Sequence, residues 1–448
     1  FVQDDGKSAS RSGAKPSGML CAVLPLLFYV LADRQIFDLP TAHRTTKKGF
    51  DHMLKGKTVL LCVSGSIAAY KIANLARMLV KRHCEVHVLM TPNSANFIHP
   101  LTFETITKHK CLMDTFDRNF EYSVEHVALA KKADAVLIAP ASANVIGKIA
   151  CGIADDMLTT TVMACPCKKI VSPAMNHNMF HNPIVQDNIE RLKRFGYEII
   201  EPDHGMLANG DMGDGRMPDE EVLLEYILRE TAFEKDLSGK KVLVTAGATC
   251  EALDPVRYIT NHSTGKMGYA VAKAAMLRGA EVTLISGKAS VQPPMFVKVI
   301  KAESAADMAS AVKENYSDMD MIIKAAAVAD YRPAITANEK IKKNGESLTL
   351  TLEPTEDILK WLGEHKRSGQ LVCGFAMETQ NLLDNARGKL ERKNADMIAA
   401  NSLRQKGAGF AGDTNIITLI TKNDTKKLDI MTKEQAAHKI LDHLKAMM

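Results

Sequence analysis

Residues 55–66 read KGKTVLLCVSGS and residues 238–249 read SGKKVLVTAGAT. Each is a short basic lead, a run of β-formers, then small residues with glycine. An unbroken apolar run that ends in glycine is the pattern of a strand buried on both faces of a parallel sheet. A chain that opens this way twice, the second time past its middle, is constrained to two α/β units, each with its own first strand.

The pattern that follows each opening agrees. After TVLLCVSG, the stretch SIAAYKIANLARMLVKRH has helical spacing, with Ile67, Tyr70, Leu75, Met78 and Leu79 near one face. CEVHVLMT, AVLIAPAS and KKIVSPAM read as further strands, and VEHVALAKKAD and ANVIGKIACGIADDMLTTTVMA as helices between them. In the second unit KVLVTAG, EVTLISG, MDMIIKAAAVAD, ADMIAANS and TNIITLIT supply strands, and MGYAVAKAAMLRGA is a helix ending at Gly279. Strands alternating with helices predict a doubly wound parallel sheet in each unit. Between them lies the polar, glycine-rich EPDHGMLANGDMGDGRMPDEE (201–221), then the helix VLLEYILRETAF, which puts the boundary near Glu234. The expected division is therefore 53–234 and 235–448, with 1–52 outside both.

Residues 1–52 have a different character. The chain starts at Phe1, and Lys7, Arg11 and Lys15 precede the apolar MLCAVLPLLFYVLA. That mimics a signal peptide, but no small-x-small cleavage site follows. The run is shorter than the ~20 residues that span a bilayer, and Pro25 interrupts it. The expectation is a non-native or disordered extension, translated ahead of a start at Met53.

The 57 basic against 52 acidic side chains give a net charge of +5, and no basic stripe carries interleaved aromatics, which excludes a nucleic-acid partner. The nine cysteines are an odd number without zinc-ligand spacing, so they read as reduced thiols of a cytoplasmic enzyme. Neither glycine loop is a dinucleotide fingerprint, since each offers one glycine (Gly65, Gly247) where G-x-G-x-x-G needs three. TGKMG at 264–268 is no P-loop, because Thr260 and Met267 stand where Walker A requires glycine and Ser or Thr. Spacing alone leaves two phosphate-binding α/β units of unstated chemistry.

Longer motifs are more specific. SGSIAAYK (64–71), EHVALAKKADAVLIAPASANVIGKIACGIADDMLTT (125–160), PAMNHNM (173–179) and GDMGDGRM (210–217) resemble the flavin-dependent cysteine decarboxylases, whose fold is flavodoxin-like. VTAGATCEALDPVRYITNHSTGKMG (244–268), AAAVADYRP (325–333), EKIKK (339–343), GFAMET (374–379), KLERKNADMIAANS (389–402) and GFAGDTN (409–415) resemble the phosphopantothenate–cysteine ligases. The order is that of the bacterial bifunctional coenzyme A biosynthesis family, and the resemblance covers essentially all of 53–448. It implies a ligase half that activates 4′-phosphopantothenate with CTP as an acyl-cytidylate, which L-cysteine then attacks. It implies a decarboxylase half that converts 4′-phosphopantothenoylcysteine to 4′-phosphopantetheine with FMN. It also implies magnesium or manganese, a homododecamer built from trimers of one half and dimers of the other, and no membrane.

Residue by residue, the resemblance places a catalytic histidine at His126, since an imidazole suits proton transfer near neutrality. Asn176 would hold the substrate carboxylate without the cost of burying another charge, although a turn-forming asparagine before a helix is a common alternative. Gly65, Ser66 and Ile67, with Ser142, Ala143 and Asn144, would bind FMN at the ends of two strands. Asn209 is a departure, because the family usually has the proton-donating cysteine there. Three outcomes stay open: a water on Asn209 delivers the proton, another acid such as Cys151 stands in, or the ene-thiol is released. The intact GDMGDGRM beside it favours the first.

In the ligase half the resemblance assigns Asn261 to handling the acyl-cytidylate and Lys340 to neutralising the phosphates. CTP contacts would come from Lys324, Ala325, Ala326, Asp330, Lys340, Phe375, Lys389 and Lys393, and from the TEDI stretch Thr355, Glu356, Asp357 and Ile358. No metal ligand is assigned. Rival readings are a non-catalytic flavoprotein regulator, a peptide-cysteine decarboxylase and a nicotinamide oxidoreductase. His126 with Asn176, the attached ligase motifs, and the missing glycine fingerprints count against them in turn.

Overall fold

A computed structural model of the chain describes residues 52–115, 125–343, 347–378, 381–402 and 412–448. The expected extension therefore lies outside the described residues except for His52.

The first unit runs β1 (Thr58–Val63), α1 (Ala69–Val80), β2 (Glu85–Met90), α2 (Pro100–Thr107), α3 (Glu125–Lys132), β3 (Ala135–Ala141), α4 (Ala143–Ala150), α5 (Met157–Ala164), β4 (Lys168–Pro173), α6 (His177–Phe180), α7 (Pro183–Arg194) and β5 (Glu198–Ile199). Its sheet is parallel in the order β2-β1-β3-β4-β5. β1 and β3 are buried at every position, as their unbroken apolar runs require.

Two expectations need correction here. Ile67 precedes α1 and Tyr70 is 58% exposed, so the buried face of the helix is Ala69, Ile72, Leu75, Ala76 and Leu79. The long helix expected after β3 is two helices. Gly152 takes φ +73°, and Asp156 starts α5 with a reciprocal capping box to Thr159.

The glycine-rich stretch before the boundary is a hairpin, β6 (Asp203–Met206) with β7 (Met212–Arg216), followed by α8 (Glu220–Thr231). The second unit has β8 (Lys241–Ala246), β9 (Cys250–Ala252), β10 (Tyr258–Thr260), α9 (Lys266–Leu277), β11 (Glu281–Ser286), β12 (Lys298–Lys301), α10 (Ala305–Asn315) and β13 (Met321–Lys324). It continues through β14 (Tyr331–Pro333), β15 (Leu352–Pro354), α11 (Ile358–His365), β16 (Leu371–Glu378), α12 (Leu382–Arg392), β17 (Met397–Ser402), β18 (Thr414–Asn415), β19 (Ile417–Thr421), β20 (Thr425–Lys427), β21 (Met431–Thr432) and α13 (Lys433–Lys445). The main sheet has the order β12-β11-β8-β13-β16-β17-β19-β20. It is parallel up to β17 and antiparallel beyond.

α8 links the two units. Lys273 of α9 donates to Glu225 at 2.6 Å, and the Arg229 guanidinium lies 4.2 Å over the Phe296 ring. Among the described residues no helix is long and apolar enough to cross a membrane, and the described cysteines are free thiols.

Candidate active sites at two strand crests

In the first unit, a cleft of about 530 Å³ opens at the carboxyl ends of β1 and β4, where ligands of open α/β sheets bind. Its walls come from the loop into α1 (Ser66, Ile67, Tyr70, Lys71), the turn after β4 (Met175, Asn176), and the hairpin (Met206 to Asn209, then Gly215 to Met217). Three segments distant in sequence thus bring Ser66, Ile67, Asn176 and Asn209 together.

The hairpin is seated by close backbone contact. Met175 N–H donates to Gly215 O at 3.1 Å, and Gly215 takes φ +115°. A Cβ there would lie 2.3 Å from Met175 O, so only glycine permits the seat. Asp214 completes it: its carboxylate meets His181 Nε2 at 2.7 Å and His204 Nδ1 at 2.9 Å, and its N–H donates to His177 Nδ1 at 3.1 Å. The His204 and His181 bonds hold the Asp214 carboxyl below its ordinary pKa.

Asn176 takes the turn role weighed for it and also lines the cleft. It is the N-cap of α6, accepting from Asn178 N–H through Oδ1 at 2.9 Å. Asn209 sits on the hairpin turn, exposed, with Nδ2 donating to Asp211 at 2.5 Å.

Ser64 ties the two expected cofactor loops together. Its hydroxyl donates to Pro140 O at 2.7 Å and accepts from Ser142 N–H at 2.8 Å. Ser142 is the N-cap of α4, but Ser142, Ala143 and Asn144 do not line the cleft. Neither does His126, half-buried on the first turn of α3, nor Cys151, exposed at the far end of α4.

A flavin fits the residues that are present. Ile67, Tyr70 and Met206 are large apolar side chains left exposed beside polar Ser66 and Asn176, the mixture a flat aromatic ring with polar edges requires. The N-cap of α1, Ala68, has no side-chain oxygen, and the N–H groups of Ala69 and Lys71 donate to the Ser66 and Ala68 carbonyls.

In the second unit the expected residues gather at the carboxyl ends of β8, β13 and β16. Lys324 ends β13, beside Thr245 and Gly374 on the flanking strands. Ala325 N–H donates to Thr245 O at 3.1 Å and Ala326 N–H to Thr245 Oγ1 at 3.3 Å. Lys389 Nζ donates to Phe375 O at 2.9 Å, and Lys393 pairs with Asp357, the N-cap of α11. Burial and the neighbouring Lys389 push the Lys324 amine down to about 8. Asp330 is exposed, with its carbonyl accepting from Thr355 N–H at 2.9 Å. Asn261 Nδ2 donates to Ala327 O at 3.1 Å, at the edge of the same loop.

Other expected positions stand apart. Glu356 pairs with Lys313 instead of facing the lysines. Ile358 is buried in α11, and Phe375 packs on the core. Lys340 is exposed on the segment between β14 and β15. That segment is pinned at Ile341, whose N–H donates to Asp254 at 3.1 Å and whose carbonyl accepts from Arg257 at 2.7 Å. The Arg257 guanidinium holds buried Asp254 well below the usual carboxylate range.

Sequence reading missed Lys71 and the Asp254–Arg257 pair as positioning groups. Both lie inside quoted motifs. The available signal was a charged side chain at a position that the helix spacing, or the turn, buries.

Comparison with known proteins agrees with this layout. The Flavoprotein family matches residues 48–232, and the DNA/pantothenate metabolism flavoprotein C-terminal domain family matches residues 237–448. The chain is 46% identical over 399 residues to the coenzyme A biosynthesis bifunctional protein CoaBC of Bacillus subtilis (strain 168), covering 88% of this chain and 98% of that one. It is 44% identical over 397 residues to the protein of the same name from Vibrio vulnificus (strain YJ016), covering 88% and 99%. It is also 43% identical over 350 residues to a cysteine/cysteine sulfinic acid decarboxylase of an unknown prokaryotic organism, covering 77% and 98%. With both halves matched in order, the chain belongs to the CoaBC family of bifunctional coenzyme A biosynthesis enzymes, a flavoprotein decarboxylase joined to a ligase.

Proposed function

We propose that the second unit, residues 235–448, joins L-cysteine to 4′-phosphopantothenate at the expense of CTP, and that the first, residues 53–234, decarboxylates the product with FMN to give 4′-phosphopantetheine. The observation that carries the ligase reading is the convergence of Lys324, Lys389 and Lys393 at one strand crest. Three ammonium groups there suit a triphosphate, and they meet the charge that builds on departing pyrophosphate. The substrate carboxylate attacks the α-phosphorus and pyrophosphate leaves. The cysteine amine then attacks the acyl carbon and CMP leaves. Asn261, bonded to the loop at Ala327, is placed to orient the acyl-cytidylate. Lys340 reaches the phosphates from its exposed segment, held at its base by Asp254. Ala325, Ala326, Asp330 and the 355–358 turn frame the nucleotide. Among the described residues, no group of three acidic or histidine side chains converges in this half. A magnesium ion therefore fits as a companion of the phosphates, with most of its oxygens supplied by nucleotide and water.

In the decarboxylase cleft, FMN supplies the two-electron acceptor that the substrate's cysteine unit needs. Gly65, Ser66 and Ile67 hold it from the α1 side. Asn176 keeps its amide Nδ2 free of any described partner and presents it to the substrate carboxylate. Asn209 holds a water at the hairpin turn that returns a proton to the product; Cys151, exposed at the end of α4, does not line the cleft of the same chain. His126, Ser142, Ala143 and Asn144 stand outside the cleft of a single chain, which supports completion of the site by a second copy, as in a trimer-based dodecamer. The attached ligase favours this substrate over free cysteine or a peptide.

The test supplies the chain with 4′-phosphopantothenate, cysteine, CTP and magnesium and follows products by mass spectrometry. The expected product is 4′-phosphopantetheine. A species two hydrogens lighter would show that Asn209 does not support the final protonation. A stop at 4′-phosphopantothenoylcysteine would reject the decarboxylase assignment, and no CTP turnover would reject the ligase assignment.

A further inference from the structure

Glu85 and His87 are two residues apart on β2, so their side chains leave the same face of the strand. His87 Nε2 lies 2.9 Å from Glu85 Oε1. The His109 ring stacks on the His87 ring with centroids 4.3 Å apart. One ligand atom from each of these three half-buried residues lies within 4.8 Å of the others. The ammonium of Lys132, on α3, sits 2.5 Å from the same Glu85 oxygen. We propose that Glu85, His87 and His109 form a site for a divalent cation of the zinc class, for which Lys132 is the built-in competitor.

The donor set argues the class. Two imidazole nitrogens and one carboxylate suit zinc, cobalt or nickel, and leave a fourth position for water. Magnesium and calcium demand oxygen ligands and are disfavoured. A second cluster, His177, His181 and Asp214, has similar spacing. There, however, the His177 Nδ1 lone pair already accepts the Asp214 N–H at 3.1 Å, and the group serves as the hairpin seat.

Place gives the site a consequence. β2 is the edge of its sheet, and Leu112, three residues beyond His109, bridges to Leu89 of that strand. A bound cation fastens the 109–112 segment to β2. It also frees the ammonium of Lys132, in the last turn of α3, from Glu85; the first turn of that helix carries His126.

The test strips the full-length protein with a chelator, dialyses it against zinc chloride, and measures zinc per chain by elemental analysis. One zinc per chain is expected. His87→Ala and His109→Ala should each weaken it at least ~10-fold. Lys132→Met should tighten it, and His181→Ala should leave it unchanged. Flavin absorbance and melting temperature check that each variant folds. His109 lies in a loop, so its variant remains informative if the β2 variant does not fold. Zinc binding that survives both His87→Ala and His109→Ala would overturn the assignment. So would loss of zinc in His181→Ala, or no zinc retained at all.

Discussion

Lys71 Nζ lies 2.8 Å from Asp219 Oδ1 across 148 residues of sequence, and 3.2 Å from Met217 O. The first turn of α1 is thereby pinned to the stem of the hairpin, across the back of the decarboxylase cleft. Asp219 is 61% exposed, so the ion pair alone is worth under about 1 kcal/mol. Lys71→Met also leaves the Met217 carbonyl without its donor, for a total loss of about 1–2 kcal/mol. The expected outcome is a modestly lower melting temperature, faster proteolysis in 207–211, and a raised decarboxylation KM. Ligation should be unchanged. Limited proteolysis and separate assays of the two reactions check this.

Asn176→Ala removes the cap of α6 and, on the proposed function, the amide offered to the substrate carboxylate. Decarboxylation should fall about 100-fold, the usual effect of losing one well-placed donor. Asn176→Asp keeps the Oδ1 cap but adds a charge that repels the carboxylate, so it should be at least as slow. Steady-state assay on 4′-phosphopantothenoylcysteine tests both, and an Asp variant of normal activity would remove Asn176 from the site.

On the proposed function, Lys324 should give the ligase a pH dependence. Its amine is depressed to about 8 by burial and by Lys389, so it is charged below that pH and neutral above it. CTP affinity should therefore weaken as pH rises through about 8, and Lys324→Met should be weak at every pH. Stability moves the other way. Between about 8 and the ordinary lysine value the unfolded chain binds more protons, so this group makes the fold more stable as pH rises through that window. CTP titrations and thermal melts across pH 7 to 10 separate the two effects.

Asp254→Asn weakens the Arg257 pair and the anchor at Ile341. The Lys340 segment should loosen, slowing CTP turnover while leaving flavin content and decarboxylation intact. Parallel assays of the two halves check it, and a defect in both would indicate general unfolding.

The alternation of apolar runs and amphipathic segments made most strands of the two sheets legible, because strands buried on both faces carry unbroken apolar runs; β16 and the antiparallel turn of the second sheet at β19 and β20 were not read. Helix faces were less legible. Ile67 and Tyr70 fit the spacing of a buried stripe, yet they stay exposed because they line a cleft, and periodicity cannot distinguish an apolar ligand wall from a core. The break at 151–156 carried its own signals, Gly152 and the Asp156–Thr159 cap, which the apolar periodicity on either side masked. The hairpin at 203–216 was unreadable because its strands are polar and glycine-rich, and close contact with Met175 dictates them. Motif matching singled out Ser66, Ile67, Asn176 and Asn209, and the structure places these four along one cleft. It could not show that His126 and Ser142–Asn144 lie outside it, since linear order says nothing about which strand ends share a cleft.

The large sheet ends in β12, KVIK, on one side and β20, TKK, on the other. Both are three or four residues long and carry two lysines each. Short, lysine-bearing outer strands are poor templates for a further strand from another molecule. The large sheet is thus guarded at both borders against edge-to-edge aggregation, so it tolerates high local concentrations of the chain without fibre-like stacking.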